Sequence, residues 1–368
     1  MNSPLVLKSA AYRQFTEPGR PFFLVTDDEL TARFVVSAQA SRPETTIMSC
    51  APGDDLADIV GTLPGDADVL VVRPGVFVTS PGVGSLGGRQ VAVMPCGSTP
   101  MTTRQVGYFL DVLERTDPIE QGTRADRFFD AIGTAGNLQL ADPGHGTACE
   151  FDPQRADYLW NQQAGPLGPG DQQIAPAGEL SVLPMEITEF DTSRRLGLNG
   201  ALTLRGWPIV HGGYEPALAH EQARLFEDLL PLRQHAVVLT VDDGWIVGCA
   251  PAASTPQARA VTAVLDELLD SDPRYRAVWE LGFGINTTMR VQAGNCGCNE
   301  VYGGRNGVVH FGLGLTPYTR FALTFLCPQT TLTDDAGSVL IGDQDRSDRS
   351  NGRARRIKRT RSASCGCH

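Results

Sequence analysis

The first third of the chain alternates short apolar runs with helical patterns. Phe22-Phe23-Leu24-Val25-Thr26 is a strand-like run, and Asp27-Asp28 after it are acidic residues suited to opening a helix that the pattern carries to about residue 41. Thr45-Thr46-Ile47-Met48-Ser49-Cys50 reads as a second strand, followed by a short helix over 54–63. Asp68-Val69-Leu70-Val71-Val72-Arg73 and Gln90-Val91-Ala92-Val93-Met94-Pro95 are uninterrupted apolar runs, typical of parallel strands covered on both faces. Over 102–116, Val106, Phe109, Leu110 and Leu113 recur on one helical face. This alternation predicts a βαβ-type domain with a mostly parallel sheet over residues 1–118.

Beyond Pro118 the pattern changes. A helix is expected over 123–132, where Phe128, Phe129 and Ile132 are apolar, and then a hairpin turning at Pro143-Gly144. Residues 162–178 are polar and rich in Pro and Gly, hence loop. Strands follow at 179–184, 201–205, 209–212, 236–240, 245–249, 308–315 and 321–326, with Asp242-Asp243-Gly244 a strong hairpin signal. Helices at 216–230 and 255–270 interrupt them. Residues 119–342 therefore read as an α+β domain with a largely antiparallel sheet. From 343 apolar residues nearly vanish, and 343–368 is expected to be a disordered, basic tail.

Composition narrows the setting. A chain of 368 residues suits two domains. No apolar run approaches the ~20 residues needed to span a bilayer. The N-terminus has no basic leader before an apolar core, so a cytoplasmic location is expected. Nearly all basic residues are Arg, and Ala, Gly, Pro and Asp abound, as in a high-GC bacterial gene. The net charge of −11 argues against nucleic-acid binding by the folded body. Residues 351–368 hold six basic residues (Arg353, Arg355, Arg356, Lys358, Arg359 and Arg361) and no acidic one, which leaves 25 basic against 42 acidic, or −17, for the remainder. Such a run is usually solvated; the sharper alternative is contact with the acidic body or an acidic partner. Nine cysteines, odd in number and mostly single in apolar runs, read as reduced buried thiols.

Two motifs invite a cofactor. Gly82, Gly84 and Gly87 form Gly-x-Gly-x-x-Gly, but a dinucleotide fingerprint belongs between the first strand and first helix. Here Arg89-Gln90 leads straight into a strand, so a turn and no nucleotide cofactor are expected. The stretch from Glu280 to Leu315 says more. Glu280-Leu-Gly-Phe-Gly-Ile-Asn286, a Cys/Gly-rich bend, Asn299-Glu300 and Val308-Val-His310-Phe-Gly-Leu-Gly314 set two carboxylates and an imidazole on or beside glycine-broken β segments. Such segments bring backbones close and aim polar side chains into a shared cleft.

With Gly178-Glu179-Leu180, Leu198-Asn-Gly200, Gly212-Gly213 and Leu140-Ala-Asp-Pro-Gly-His145-Gly-Thr-Ala-Cys-Glu-Phe upstream, these motifs resemble the aminopeptidase T/S-type leucyl aminopeptidases. They are similar too to 2,5-dihydroxypyridine dioxygenase, a ring-opening iron enzyme on the same scaffold. The match spans roughly 137–335, and the order of the motifs carries it. The resemblance implies a metalloaminopeptidase-like C-terminal domain with metal ligands at Glu179, Glu280 and His310, for Zn²⁺, Mn²⁺, Co²⁺ or Fe²⁺. It also implies a homodimer.

One departure is large. The family completes a two-metal site with His-x-Asp on the next strand, where this chain has Ala322 and Thr324, and no histidine lies between His310 and His368. Val301 and Val308 replace a His and a Tyr, with only Tyr302 nearby. Three readings stand: one metal on Glu179, Glu280 and His310; new ligands from Cys296, Cys298, His211 or His145; or a metal-free pseudoenzyme whose cleft binds a peptide or small molecule. Glu300 reads as a structural loop residue, and His211 and His145 as turn residues. Arg320 is expected to replace a lost metal's charge by pairing with Glu179 or Glu280. The function expected is a modified single-metal hydrolase or oxygenase acting on a peptide or small aromatic molecule, in specialised metabolism.

Overall fold

The computed structural model describes residues 4–74, 81–82, 84–95, 99, 101–184, 190–212, 216–342 and 359–360. In chain order the first elements are β1 (Leu5–Leu7), β2 (Phe22–Asp27), α1 (Asp28–Thr31), β3 (Phe34–Val36), β4 (Thr45–Cys50), α2 (Leu56–Thr62), β5 (Asp68–Val72), β6 (Gln90–Val93) and α3 (Thr103–Arg115). Next come α4 (Pro118–Thr134), β7 (Leu138–Asp142), β8 (Thr147–Phe151), β9 (Tyr158–Gln163), β10 (Gln172–Ile174), β11 (Glu179–Pro184), β12 (Leu198–Leu204) and β13 (Trp207–His211). The chain continues through α5 (Ala219–Leu229), β14 (Val237–Asp242), β15 (Trp245–Pro251), α6 (Pro256–Ser271), β16 (Val278–Gly284), β17 (Val308–Leu313) and β18 (Ala322–Cys327). Three short strands end it: β19 (Thr331–Thr333), β20 (Val339–Ile341) and β21 (Arg359–Thr360).

The first sheet is parallel throughout, in the order β10-β6-β5-β2-β4. Every residue of β5 and β6 is buried, as unbroken apolar runs demand. Along β5, Leu70 and Val72 face α3 and its Val106, Phe109 and Leu113, whereas Val69 and Val71 face Leu56 and Val60 of α2. A capping box between Thr102 and Gln105 opens α3, and Asp117 caps α4 with Pro118 at its first position.

Two seven-stranded sheets follow, β13-β18-β17-β16-β11-β9-β21 and β15-β14-β12-β8-β7-β19-β20. Within each, all pairings are antiparallel except β21 on β9. The two sheets and helices α4, α5 and α6 share one core. The mixed α/β architecture expected from the pattern is the one observed.

Three sequence expectations need correction. The helix expected to reach residue 41 stops at Thr31, because Phe34-Val35-Val36 goes into β3 and pairs with β1. α4 begins at Pro118, five residues before the expected start at 123. The stretch 162–178 contains the end of β9 and the whole of β10, a Gln-Gln-Ile strand too polar to announce itself that adds to the N-terminal sheet. The expected disordered tail lies outside the described residues except for Arg359 and Thr360, whose backbone pairs with Trp160 and Asn161. Gly82, Gly84 and Gly87 belong to the turn before β6, Ser85 N donating to Gly82 O.

Candidate metal centre

Strand pairing alone brings three donors together. His310 on β17 stands opposite Gly282 on β16, two residues from Glu280. Glu179, the first residue of β11, stands opposite Gly284. Directly opposed residues and residues two apart share a sheet face, so Glu179, Glu280 and His310 converge. One donor atom from each lies within 4.8 Å of the other two.

Glycine makes the convergence possible. A Cβ at Gly282 would run into the His310 ring, and one at Gly312 would lie 2.8 Å from the Cβ of Glu280. Leu281, Phe283, Val309 and Phe311, on the reverse of the same strands, enter the core and lock this register.

The three groups are almost sealed from solvent: Glu179 is 5% exposed, Glu280 8% and His310 1%. His310 Nε2 lies 3.5 Å from Glu179 Oε1, and neither ring nitrogen has a hydrogen-bond partner among the described residues. Burial pushes the Glu280 carboxyl up to about 8, with the neighbouring carboxylates adding to it and His310 opposing. Burial likewise raises Glu179, against the pull of His310. For His310 burial acts downward, but Glu179, Glu280 and Glu300 outweigh it and the imidazole is raised.

Arg320 does not compensate these charges. Its side chain is 57% exposed and pairs with Glu221 at 2.6 Å, so the expected link to Glu179 or Glu280 is absent. The loop after β17 turns Arg320 outward, and Phe321, its neighbour, is the residue that goes into the core.

A second buried row lies beside the first. Glu300, on the 3-10 turn Gly297–Val301, accepts a hydrogen bond at Oε1 from Thr324 Oγ1 at 2.9 Å, and His211 Nε2 is 2.8 Å from the same oxygen. His211 sits on β13 in register with Ala322, two residues from Thr324 on β18. Glu300 and His211 are thus neither loop nor turn residues in the exposed sense; both are buried partners. Thr324 completes their network, and its place on the cleft face follows only from the pairing of β17, β18 and β13.

Other candidates go elsewhere. Cys296 and Cys298 are buried with Met289 and α3 and are not part of the three-donor group, and a hydrogen bond from Cys298 holds the Cys296 thiol below its usual range. Tyr302 packs with Trp207 against Ile209, Val308 and Leu326. His145 is a turn residue as expected, its Nδ1 3.0 Å from Asp142. Cys96, Cys365, Cys367 and His368 fall outside the described residues.

Among solved structures, 2,5-dihydroxypyridine dioxygenase from Pseudomonas putida matches with a TM-score of 0.53 and 14% identity, over 89% of this chain and 91% of that one. AmpT from Thermus thermophilus matches with a TM-score of 0.41 and 11% identity, over 90% and 96% of the two chains. No family model and no curated protein matches the sequence. The dioxygenase match extends through both halves of the chain, and it shows a shared fold. That is the scaffold the motifs resembled.

Proposed function

We propose that this protein is a single-metal enzyme whose divalent ion is held by Glu179, Glu280 and His310, acting as a hydrolase or oxygenase on a peptide or small aromatic molecule. One observation carries the reading. Two carboxylates and an imidazole are buried together, and among the described residues both ring nitrogens lack hydrogen-bond partners and no Lys or Arg pairs with the carboxylates. Buried charge of this kind requires a counter-charge. Ligand atoms about 2.1 Å from a tetrahedrally held ion lie about 3.4 Å apart. The three donor atoms lie within 4.8 Å of one another, so their side chains would draw in by about an ångström to hold one ion.

The donor set suits Zn²⁺, Mn²⁺, Co²⁺ or Fe²⁺. Such an ion supplies Lewis acidity, an activated water or open positions for O₂. The chain's own share is to hold the donors on three rigid strands, to keep glycine at 282 and 312, and to exclude bulk water. Beside them the His211–Glu300–Thr324 row holds His211 Nε2 2.8 Å from Glu300 Oε1. The 2,5-dihydroxypyridine dioxygenase fold supports a small aromatic substrate over a peptide.

A metal-free binding scaffold is the second reading, favoured by one fact: a Glu280 carboxyl raised to about 8 is protonated at neutral pH and leaves less charge to neutralise. Elemental analysis of protein purified without chelator separates the two. About one equivalent of metal is expected in the wild type and far less in Glu280→Gln and His310→Ala. Metal at a hundred times its Kd should also stabilise the wild type by about 2.7 kcal/mol. A wild type without metal that gains no stability from any of the four ions would sink the enzyme reading.

A further inference from the structure

The sheet that carries the three donors ends in an edge strand. β9 pairs with β11 on one side, and on the other its described partner is β21, a two-residue strand from the far end of the sequence. β21 is parallel to β9, Arg359 opposite Trp160 and Thr360 opposite Asn161. It therefore runs towards Gln163, the residue paired with Glu179. An edge strand offers a row of backbone donors and acceptors to any extended segment.

Three facts describe what this edge takes. The pairing is through the backbone, so it asks for an extended segment. The segment seated there comes from the run of six basic residues between 353 and 361, against a remainder of −17. And a two-residue strand is held weakly: each hydrogen bond contributes about 1 kcal/mol net. Its occupancy comes mainly from being on the same chain, at an effective concentration on the order of millimolar. A free segment pairing along all six residues of β9 has more to gain.

We propose that the outer edge of β9 is an acceptor for an extended, arginine-rich segment, occupied in cis by Arg359–Thr360 and open to exchange with such a segment supplied in trans. The parallel sense directs the later residues of the docked segment towards the Glu179 end of the sheet. The docking does not depend on whether a metal is bound.

The test uses the full-length chain and the double variant Arg359→Pro/Thr360→Pro. Backbone donors alternate sides along a strand, so two adjacent prolines necessarily remove the one aimed at β9. Amide hydrogen exchange over Tyr158–Gln163 should be at least about tenfold faster in the variant than in the wild type. A labelled peptide of residues 355–364 should bind the variant at least about tenfold more tightly than the wild type and restore protection of β9. The same peptide with proline at its 359 and 360 positions should not. Unchanged exchange, equal affinity of the two proteins, or equal binding of the proline-bearing peptide overturns the proposal, the last by showing attraction to the acidic body alone.

Discussion

Buried carboxylates occur in both the parallel sheet and the cleft sheet, and they are treated in opposite ways. Asp68, at the start of β5 and fully buried, has Arg20 Nε at 2.9 Å and a second ion pair to Arg42. The half-buried Asp27 at the end of β2 is likewise met by the buried Arg73 at 2.9 Å. Across the molecule Glu179 and Glu280 are as deeply buried, yet among the described residues their ionisable neighbours of opposite sign are histidines. In the first region the chain encodes the counter-charge; in the second it leaves that to a proton or an ion from outside. The first is built for stability; in the second, His310 and protons are the chain's own answer to the buried carboxylates.

The largest expected effect tests the stabilising side of this contrast. Arg42→Met leaves Asp68 buried with half its compensation, and breaking a buried pair costs about 3–5 kcal/mol. Urea denaturation should show that loss. Glu280→Gln, at a site equally buried, should cost the metal-free protein nothing. Equal losses in the two variants would erase the contrast.

Next in size is the pH dependence of the metal-free protein. Glu280 and Glu179 are raised in the fold, and so is His310. All three therefore bind protons more tightly folded than unfolded, and the stability this confers is present at low pH and lost as pH climbs. For Glu280 the window runs from the ordinary carboxyl value of 4.5 to about 8. Melting temperatures of chelator-treated protein should fall across it, by the equivalent of a few kcal/mol, since each tenfold difference in proton affinity between the folded and unfolded chain is worth on the order of 1.4 kcal/mol. Glu280→Gln should flatten the fall, and bound metal, which displaces the proton, should reverse it. A wild-type profile that matches Glu280→Gln would mean the carboxyl is not held up by burial.

Much of this was legible in the sequence, for stated physical reasons. Apolar runs long enough to bury both faces announced β2, β5 and β6. The Val-Val-His-Phe-Gly stretch announced β17, and Glu-Leu-Gly-Phe-Gly a glycine-broken β segment where β16 lies, because such segments bring backbones close together. What stayed hidden depended on contacts between distant segments. Gln172-Gln173-Ile174 is a strand only because β6 offers it an edge. His211, Glu300 and Thr324 come from positions more than a hundred residues apart at their extremes, and only pairing of β13 with β18 aligns them. Arg320 failed for a local reason: charge logic named a suitable partner, and a tight turn pointed the side chain the other way.

That failure yields the smallest expected effect. If Arg320 neutralised the donor cluster, Arg320→Met would unmask two buried carboxylates and cost several kcal/mol. As placed, it makes one ion pair with Glu221 on a surface where the Arg side chain is 57% exposed and its partner 35%. Exposed pairs of this kind are worth about 0–1 kcal/mol, because water screens the attraction and both long side chains lose freedom. Arg320→Met should therefore shift the denaturation midpoint by no more than that, and by the same amount in metal-free and metal-loaded protein. The second condition is the sharper one. A loss confined to metal-free protein would mean that Arg320 reaches the cluster after all, and that the chain encodes a counter-charge in the cleft sheet as it does in the parallel one.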